Sequence, residues 1–163
     1  MGNELQRNGR SLASFYGTQT YAIDHKGRIS VPATMRRSAS AKKGGADTFF
    51  LVSGFEGCLA LYAPEEWRRV EERLRQIPMG DRRGRAFARA FLMDATKVSV
   101  DAQGRIAIPP ALMGRAGLGK EAVLLGQVDR IEIWNQERLD ALVQAANGEY
   151  ETLAGEVLGG KQP

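Results

Sequence analysis

A nine-residue pattern occurs twice in the chain, and it constrains the fold more than any other feature of the sequence. The first copy reads DHKGRISVP over residues 24–32, and the second reads DAQGRIAIP over residues 101–109. Asp, Gly, Arg, Ile and Pro recur at the same relative positions, and each copy lies between runs in which apolar and polar residues alternate. An internal repeat of this kind predicts one structural unit that occurs twice.

The residues around each copy predict a strand, a turn, a second strand and a short helix. Asp side chains bond to the backbone two residues on and Gly accepts positive φ, so D-x-x-G predicts a hairpin turn. The run RISV at 28–31 alternates like a strand, and Pro32 is suited to the first turn of a helix. Two strand-like runs, TFFLVSG at 48–54 and CLALYA at 58–63, complete the first unit. The second unit repeats this order and ends in AVLLGQV and RIEIW.

Helical periodicity separates and follows the two units. Between them, apolar residues recur at helical spacing in two segments, which predicts a pair of amphipathic connecting helices. These residues are Trp67, Val70, Leu74 and Ile77 in the first segment and Phe87, Ala88, Phe91 and Leu92 in the second. The predicted organisation is a first unit at 18–65, a helical connector at 66–94, a second unit at 95–138, and a C-terminal helix with a frayed tail at 139–163. Units of about 45 residues rarely bury enough surface to fold alone, so the copies should pack on each other or on further chains.

Composition favours a soluble globular protein rather than a disordered one. The apolar fraction is 43% and the charged fraction 26%, as in globular domains. No apolar run approaches the roughly 20 residues that span a bilayer, and the polar stretch up to Gly17 lacks the apolar core of a signal peptide. We expect that stretch to be a flexible lead-in and the protein to be cytoplasmic.

Residues that would support catalysis or metal binding are scarce. The single Cys58 excludes an intrachain disulfide and lies in an apolar run, where a small buried side chain is the expected role. The single His25 falls far short of a zinc site, and no phosphate-binding loop or catalytic Cys–His pair occurs. Tyr62, Trp67 and Trp134 are expected in the core rather than as platforms for stacking bases. We therefore expect a non-enzymatic protein without cofactor or metal.

Basic residues concentrate in the first unit and the connector. The chain has 23 basic and 19 acidic residues, a balance that is compatible with a nucleic-acid partner without establishing one. The first unit and connector contain Lys26, Arg28, Arg36, Arg37, Lys42, Lys43, Arg68, Arg69, Arg82, Arg83 and Arg85, and the second unit contains Arg105, Arg115, Lys120 and Arg130. The competing interpretation for the first connector helix is a solvated face on which arginines pair with Glu65, Glu66, Glu71 and Glu72.

The Asp and Arg that flank each turn leave two interpretations open. Asp24 and Arg28 should face each other across the strand ends, as should Asp101 and Arg105, so each carboxylate can pair with the Arg of its own copy or of the other copy. A carboxylate in that position would set the direction of the guanidinium. The motif then serves either structure, as a buried ion pair, or function, as an Arg presented on a rigid hairpin.

The doubled motif, with CLALYAPEEW at 58–67 and AVLLGQVDRIEIWN at 122–135, resembles the MraZ family. That family is the two-copy member of the AbrB-like, swapped-hairpin class of bacterial transcription regulators, and the resemblance covers about Thr18 to Ala145. It implies an α+β, mainly β fold in which two pseudo-twofold-related units form a small β-barrel with external helices. It also implies a ring-shaped homo-oligomer, such as an octamer, that associates with the nucleoid and has no membrane or small-molecule partner.

The resemblance further implies binding to double-stranded DNA at short direct repeats in the promoter of a division and cell-wall gene cluster. It assigns DNA contact to Asp24 and Arg28, with Asp101 and Arg105 as the second-copy counterparts. The other expected DNA-binding residues are Lys26, Arg36, Lys42 and Lys43. Because the second copy has Gln103 where the first has Lys26, we expect the first hairpin to face DNA and the second to be architectural. The alternative is a structural ring protein whose Asp–Arg motifs serve assembly.

Overall fold

Strands and helices follow the same order in the two halves of the chain. The computed structural model describes residues 13–40 and 46–160. The first half contains β1 (Thr18–Ala22), β2 (Arg28–Ser30), α1 (Ala33–Ser38), β3 (Thr48–Ser53) and β4 (Leu59–Tyr62). The connecting helices are α2 (Pro64–Arg75) and α3 (Arg82–Leu92). The second half contains β5 (Thr96–Ser99), β6 (Arg105–Ala107), α4 (Pro110–Arg115), β7 (Glu121–Gly126) and β8 (Ile131–Trp134), followed by α5 (Gln136–Asn147) and α6 (Tyr150–Leu158).

The strands of the two halves pair with each other. Six of them form an antiparallel sheet in the order β1-β7-β8-β4-β3-β5, and β2 pairs with β6 in a separate two-stranded ribbon. The pairings are symmetric between the halves, in which β1 to β4 correspond to β5 to β8. The pairing of β1 with β7 corresponds to that of β5 with β3, and β4 pairs with its own counterpart β8. The structure is therefore mixed α and β, with most strands in one large antiparallel sheet built from two repeats, and at that level the predicted fold class is confirmed. Closure into a barrel and the swapped-hairpin arrangement stay predictions.

The ribbon of β2 and β6 brings the two repeated motifs together. Ile29 pairs with Ile106 at its centre, and both side chains are buried. Beyond the strands, the Val31 N–H donates to the carbonyl of Gly104, and the Ile108 N–H donates to the carbonyl of Gly27, each at 2.9 Å. Each turn is thus bonded to the strand that returns from the other turn. Because side chains alternate along a strand, the arginines that begin β2 and β6 lie on the face opposite the buried isoleucines.

The core lies between the ribbon and one face of the large sheet. A single hydrophobic cluster joins Ile29 and Ile106 of the ribbon to Leu51, Leu61 and Leu124 of the sheet. Burying such side chains contributes about 1.5–3 kcal/mol each relative to exposure. This shared core explains why two units too small to fold alone form one stable body.

The other face of the sheet is covered by the connecting helices. Trp67 of α2 packs with Val52 and Tyr62, and its ring stacks on Phe50 with centroids 5.2 Å apart. Tyr62, Trp67 and Trp134 are all buried, which confirms that they belong to the core. No helix in the described ranges is both long enough and apolar enough to cross a lipid bilayer.

Both ends of the described chain differ from the sequence-based expectation. The stretch up to Gly17 was expected to be flexible, yet Phe15 is buried and exchanges two backbone hydrogen bonds with Val128, of 2.9 and 2.8 Å. Ala13 and Phe15 both belong to the core, and the carbonyl of Gly17 accepts a hydrogen bond from the Gly126 N–H, so residues 13–17 are attached to the fold. The tail from residue 152 onward is expected to be frayed, whereas residues 152–158 lie in α6 (Tyr150–Leu158), although none of the residues of that helix is buried.

Candidate nucleic-acid interface

The first turn holds Arg28 in a fixed direction. One carboxylate oxygen of Asp24, Oδ1, accepts hydrogen bonds from the backbone N–H groups of Lys26 and Arg28, each at 2.9 Å. The other, Oδ2, accepts from Nε of Arg28 at 2.7 Å. Gly27 closes the turn at a φ of 74°, in the left-handed region that favours glycine. The Asp therefore stabilises the turn and orients the guanidinium with the same side chain.

The second turn reproduces this geometry. Asp101 Oδ1 accepts from the backbone N–H groups of Gln103 and Arg105 at 2.9 and 3.0 Å, and Oδ2 accepts from Arg105 Nε at 3.0 Å. Gly104 has a φ of 78°. The Asp–Arg pairing within a copy, which was one of the two options left open, is thus present in both copies.

Pairing between copies is present as well. The terminal nitrogen Nη1 of Arg105 lies 3.6 Å from Oδ2 of Asp24. Asp24 therefore faces two guanidinium groups and joins the motifs into one cluster. The side chains of Asp24, Arg28 and Arg105 are 28–29% exposed, so the pairs are neither buried nor fully solvated. The cluster combines the two interpretations, because it locks the arginines and still presents them at the surface.

Both carboxylates are held in the ionised form. The backbone N–H of Arg28 is the main cause that lowers the pKa of Asp24 to about 2, and the Arg28 side chain adds to it against the effect of burial. The backbone N–H of Arg105 likewise lowers the pKa of Asp101. The ion pairs are therefore intact at neutral pH and weaken only as the pH falls towards these lowered pKa values.

Arg36 lies against the second turn although it belongs to the first copy. Its Nε donates to the carbonyl of Val31 at 3.1 Å, and a Cβ added to Gly104 would meet its Nη2 at 3.0 Å. The corresponding residue of the second copy, Met113, packs against the core. The turn that lacks a basic residue at Gln103 thus receives a cation from the other copy. The two hairpins therefore differ less in positive charge than their sequences indicate. Only the pairing of the strands reveals this.

Of the remaining residues predicted to contact DNA, the structure describes one and leaves two outside the described residues. Lys26 is exposed in the first turn, beside Asp24. Lys42 and Lys43 lie outside the described residues. The competing interpretation of the first connector helix is supported in part, because Arg68 lies 3.9 Å from Glu65 and Arg75 lies 3.6–3.8 Å from two glutamates, all with side chains at least 40% exposed. Such pairs contribute little to stability. Glu66, which that interpretation places on the solvated face, is buried instead.

No group of three or more His, Cys, Asp or Glu residues suited to a metal occurs in the described part of the chain.

A second polar cluster, which the sequence analysis missed, lies on the outer face of the large sheet. Glu132 is 8% exposed and accepts a hydrogen bond from Trp134 Nε1 at 3.2 Å. Nη2 of Arg130 lies 3.5 Å from the same carboxylate, and Cys58 Sγ lies 3.7 Å from it. Burial and the neighbouring carboxylate raise the pKa of Cys58 to about 12, so the thiol stays protonated. The expected role of Cys58 as a small buried side chain is confirmed.

Comparison with known proteins shows which family the chain is similar to. The sequence profile of a family described as "MraZ protein, putative antitoxin-like" matches residues 14–90 and again residues 91–154. The protein named Transcriptional regulator MraZ of Natranaerobius thermophilus is 38% identical over 88% of this chain and 96% of its own length. Proteins of the same name from Heliobacterium modesticaldum and Clostridium tetani are 38% and 37% identical over 88% and 86% of this chain, covering 96% and 94% of their own lengths.

Proposed function

The chain belongs to the MraZ family, and from that premise we propose that it regulates transcription by binding double-stranded DNA through the hairpin of Asp24, Lys26 and Arg28. The name of its relatives describes regulation of transcription rather than an enzymatic reaction. The observation that carries the proposal is the fixed direction of Arg28, whose Nε is bonded to Asp24 on a partly exposed hairpin. A guanidinium held in this way is prepared to bind before DNA arrives.

Arg28 has the chemistry to read a base edge. A guanidinium can donate two parallel hydrogen bonds to O6 and N7 of guanine in the major groove, and such a contact discriminates by about 1–3 kcal/mol. The exposed Lys26 and the partly buried Arg36, with Lys42 and Lys43, would contact phosphates instead. Phosphate contacts position the protein on the duplex and make affinity dependent on salt, but carry no sequence information directly.

The operator and the assembly are further parts of the proposal. The DNA site consists of short direct repeats in the protein's own promoter, within a division and cell-wall gene cluster. The protein binds as a ring of several protomers, in which the two sheets of each chain close into a small barrel of the swapped-hairpin type. A ring that presents one hairpin per protomer engages several repeats at once, so weak single contacts add through effective concentration. This mode of binding places the protein on the nucleoid.

Retardation of a promoter fragment in gels tests the proposal. Arg28→Ala should weaken binding by about 5- to 150-fold per hairpin, the equivalent of one lost base contact, while the native mass stays unchanged. The matched control is Arg75→Ala, which removes the same charge from an exposed position on α2 and should bind as the unmodified protein does. Equal retardation by Arg28→Ala and the unmodified protein would contradict the proposal.

A structural ring protein is the second candidate, favoured by the contact of Arg105 with Asp24. That 3.6 Å contact joins the two motifs within one chain, so the Asp–Arg pairs have a structural partner that does not depend on DNA. The two candidates differ in the effect of salt, because neutralising phosphates makes DNA affinity fall steeply as salt rises. Retardation that stays constant from 50 to about 200 mM salt would favour the structural role.

A further inference from the structure

A stack of aromatic rings runs from the core to the molecular surface, where it ends on helix α3. The rings of Trp67 and Phe91 stack with centroids 6.1 Å apart, and those of Phe91 and Phe87 with centroids 5.4 Å apart. Trp67 is buried, whereas Phe87 is 45% exposed and Met93, just beyond the helix, is 71% exposed. No residue of α3 is buried. The stack thus leads from the core to an apolar surface that the described residues leave open to solvent.

Within helix α3 the charge is entirely positive, and Asp81 and Asp94 flank the helix. Helix α3 contains four arginines and no acidic residue between positions 82 and 92. Arg82, Arg83 and Arg89 are exposed, and Arg85 donates to the carbonyl of Met79. We name this surface the α3 face: the exposed apolar residues Phe87, Leu92 and Met93 with the arginines around them.

The two C-terminal helices present an apolar surface of opposite charge. Leu139 is the buried residue of α5, and α6 has none. We name the α5–α6 face by its exposed apolar residues: Leu142, Val143, Tyr150, Leu153, Val157 and Leu158. Its acidic residues are Glu137, Asp140, Glu149, Glu151 and Glu156. The basic residue within 136–158, Arg138, is exposed and donates to the carbonyls of Gly57 and Arg115.

We propose that the α3 face of one protomer binds the α5–α6 face of the next. Both faces are apolar and partly uncovered within one chain, and they carry opposite charge, which directs association and suppresses pairing of like faces. Because the two faces differ, the contact is heterologous, and a heterologous contact that closes generates a ring. The inference deepens the ring assembly of the proposed function and rests on it, but it does not involve the DNA-binding hairpin.

Charge reversal on each face tests this contact. One variant carries Arg82→Glu, Arg83→Glu and Arg89→Glu, and the other carries Asp140→Arg, Glu151→Arg and Glu156→Arg. All six positions are exposed. Each variant alone opposes like charges across the contact, so its native mass by light scattering should fall to the 17.8 kDa of one chain. An equimolar mixture should reassemble with both variants in equal amounts and an even number of protomers. The control Arg68→Glu, Arg69→Glu and Arg75→Glu makes the same charge change on α2 and should keep the unmodified mass.

Each outcome bears on a different statement. If either reversed variant keeps the unmodified mass, or if the folded variants separate but do not reassemble when mixed, the proposed contact is wrong and a different surface closes the ring. If the unmodified protein is a single chain at every concentration, the ring of the proposed function fails together with this contact. If the unmodified protein keeps its assembled mass only while a second, different protein is present in the sample, that second protein occupies one of the faces. The contact between copies is then again wrong. Circular dichroism confirms that the variants are folded.

Discussion

Replacing the turn glycines by alanine should affect the two copies differently. Both Gly27 and Gly104 have positive φ, and a residue with a side chain in that conformation costs about 1–2 kcal/mol. The surroundings differ, because an added Cβ would meet the backbone carbonyl of Ile108 at 3.0 Å in the first copy and the end of the Arg36 side chain at 3.0 Å in the second. A carbonyl in the ribbon cannot move without disturbing the Ile108–Gly27 hydrogen bond, whereas a guanidinium can swing away.

Overpacking adds about 1–3 kcal/mol where the neighbour is rigid. Gly27→Ala should therefore lower the free energy of unfolding by about 2–5 kcal/mol, and Gly104→Ala by about 1–2 kcal/mol. In a chain of this size, each kcal/mol lowers Tm by about 2–4 °C.

Urea unfolding of the two variants measures the difference, and salt-dependent DNA binding supplies a second readout. Gly104→Ala displaces Arg36 from the second turn. It should therefore weaken DNA binding at low salt, although it lowers the free energy of unfolding only slightly. Equal losses of stability in the two variants, or a larger loss for Gly104→Ala, would refute the assigned neighbours of the turns and the exchange of Arg36 between copies.

Three further predictions concern the ionisable groups. Glu132→Ala should lower the free energy of unfolding by about 1–3 kcal/mol, since Trp134 Nε1 loses its buried acceptor, and a urea titration against the unmodified protein measures the loss. Cys58, with a pKa raised to about 12, should react with a thiol reagent at pH 8 far more slowly in the native protein than in urea; equal rates would contradict its burial. The Asp24 carboxyl should titrate near pH 2 by NMR, so its contribution to stability persists at neutral pH and is lost as the pH falls through that value. In Arg28→Ala the titration should move only part of the way back, because the backbone N–H that is the main cause remains; a full return would refute that cause.

Features that depend on neighbouring residues could be predicted from the sequence. The D-x-x-G-R spacing predicts the turn and places Asp24 opposite Arg28, because the geometry of a tight hairpin brings those positions together regardless of the rest of the fold. The connecting helices follow from periodicity in the same way, and both are observed over Pro64–Arg75 and Arg82–Leu92.

Features that depend on how the copies pair could not be predicted. The sequence leaves pairing of Asp24 with the Arg of the other copy as one of two options, and it does not indicate the position of Arg36 beside Gly104. Both contacts arise because β2 pairs with β6, and no local pattern encodes that register. Phe15 was missed for a related reason, since its polar neighbours hide a single core aromatic whose partner, Val128, lies in the other half. The helix over Tyr150–Leu158 was missed because its Gly-rich end resembles a frayed tail.

The ratio of affinities for promoter DNA and for a shuffled sequence of equal length tests the central claim most directly. We expect the unmodified protein to prefer its promoter, Lys26→Ala to weaken binding to both DNAs alike and to reduce the dependence on salt, and Arg28→Ala to bring the ratio close to one. An Arg28→Ala protein that keeps the full preference for its promoter would contradict the assignment of sequence reading to the first hairpin.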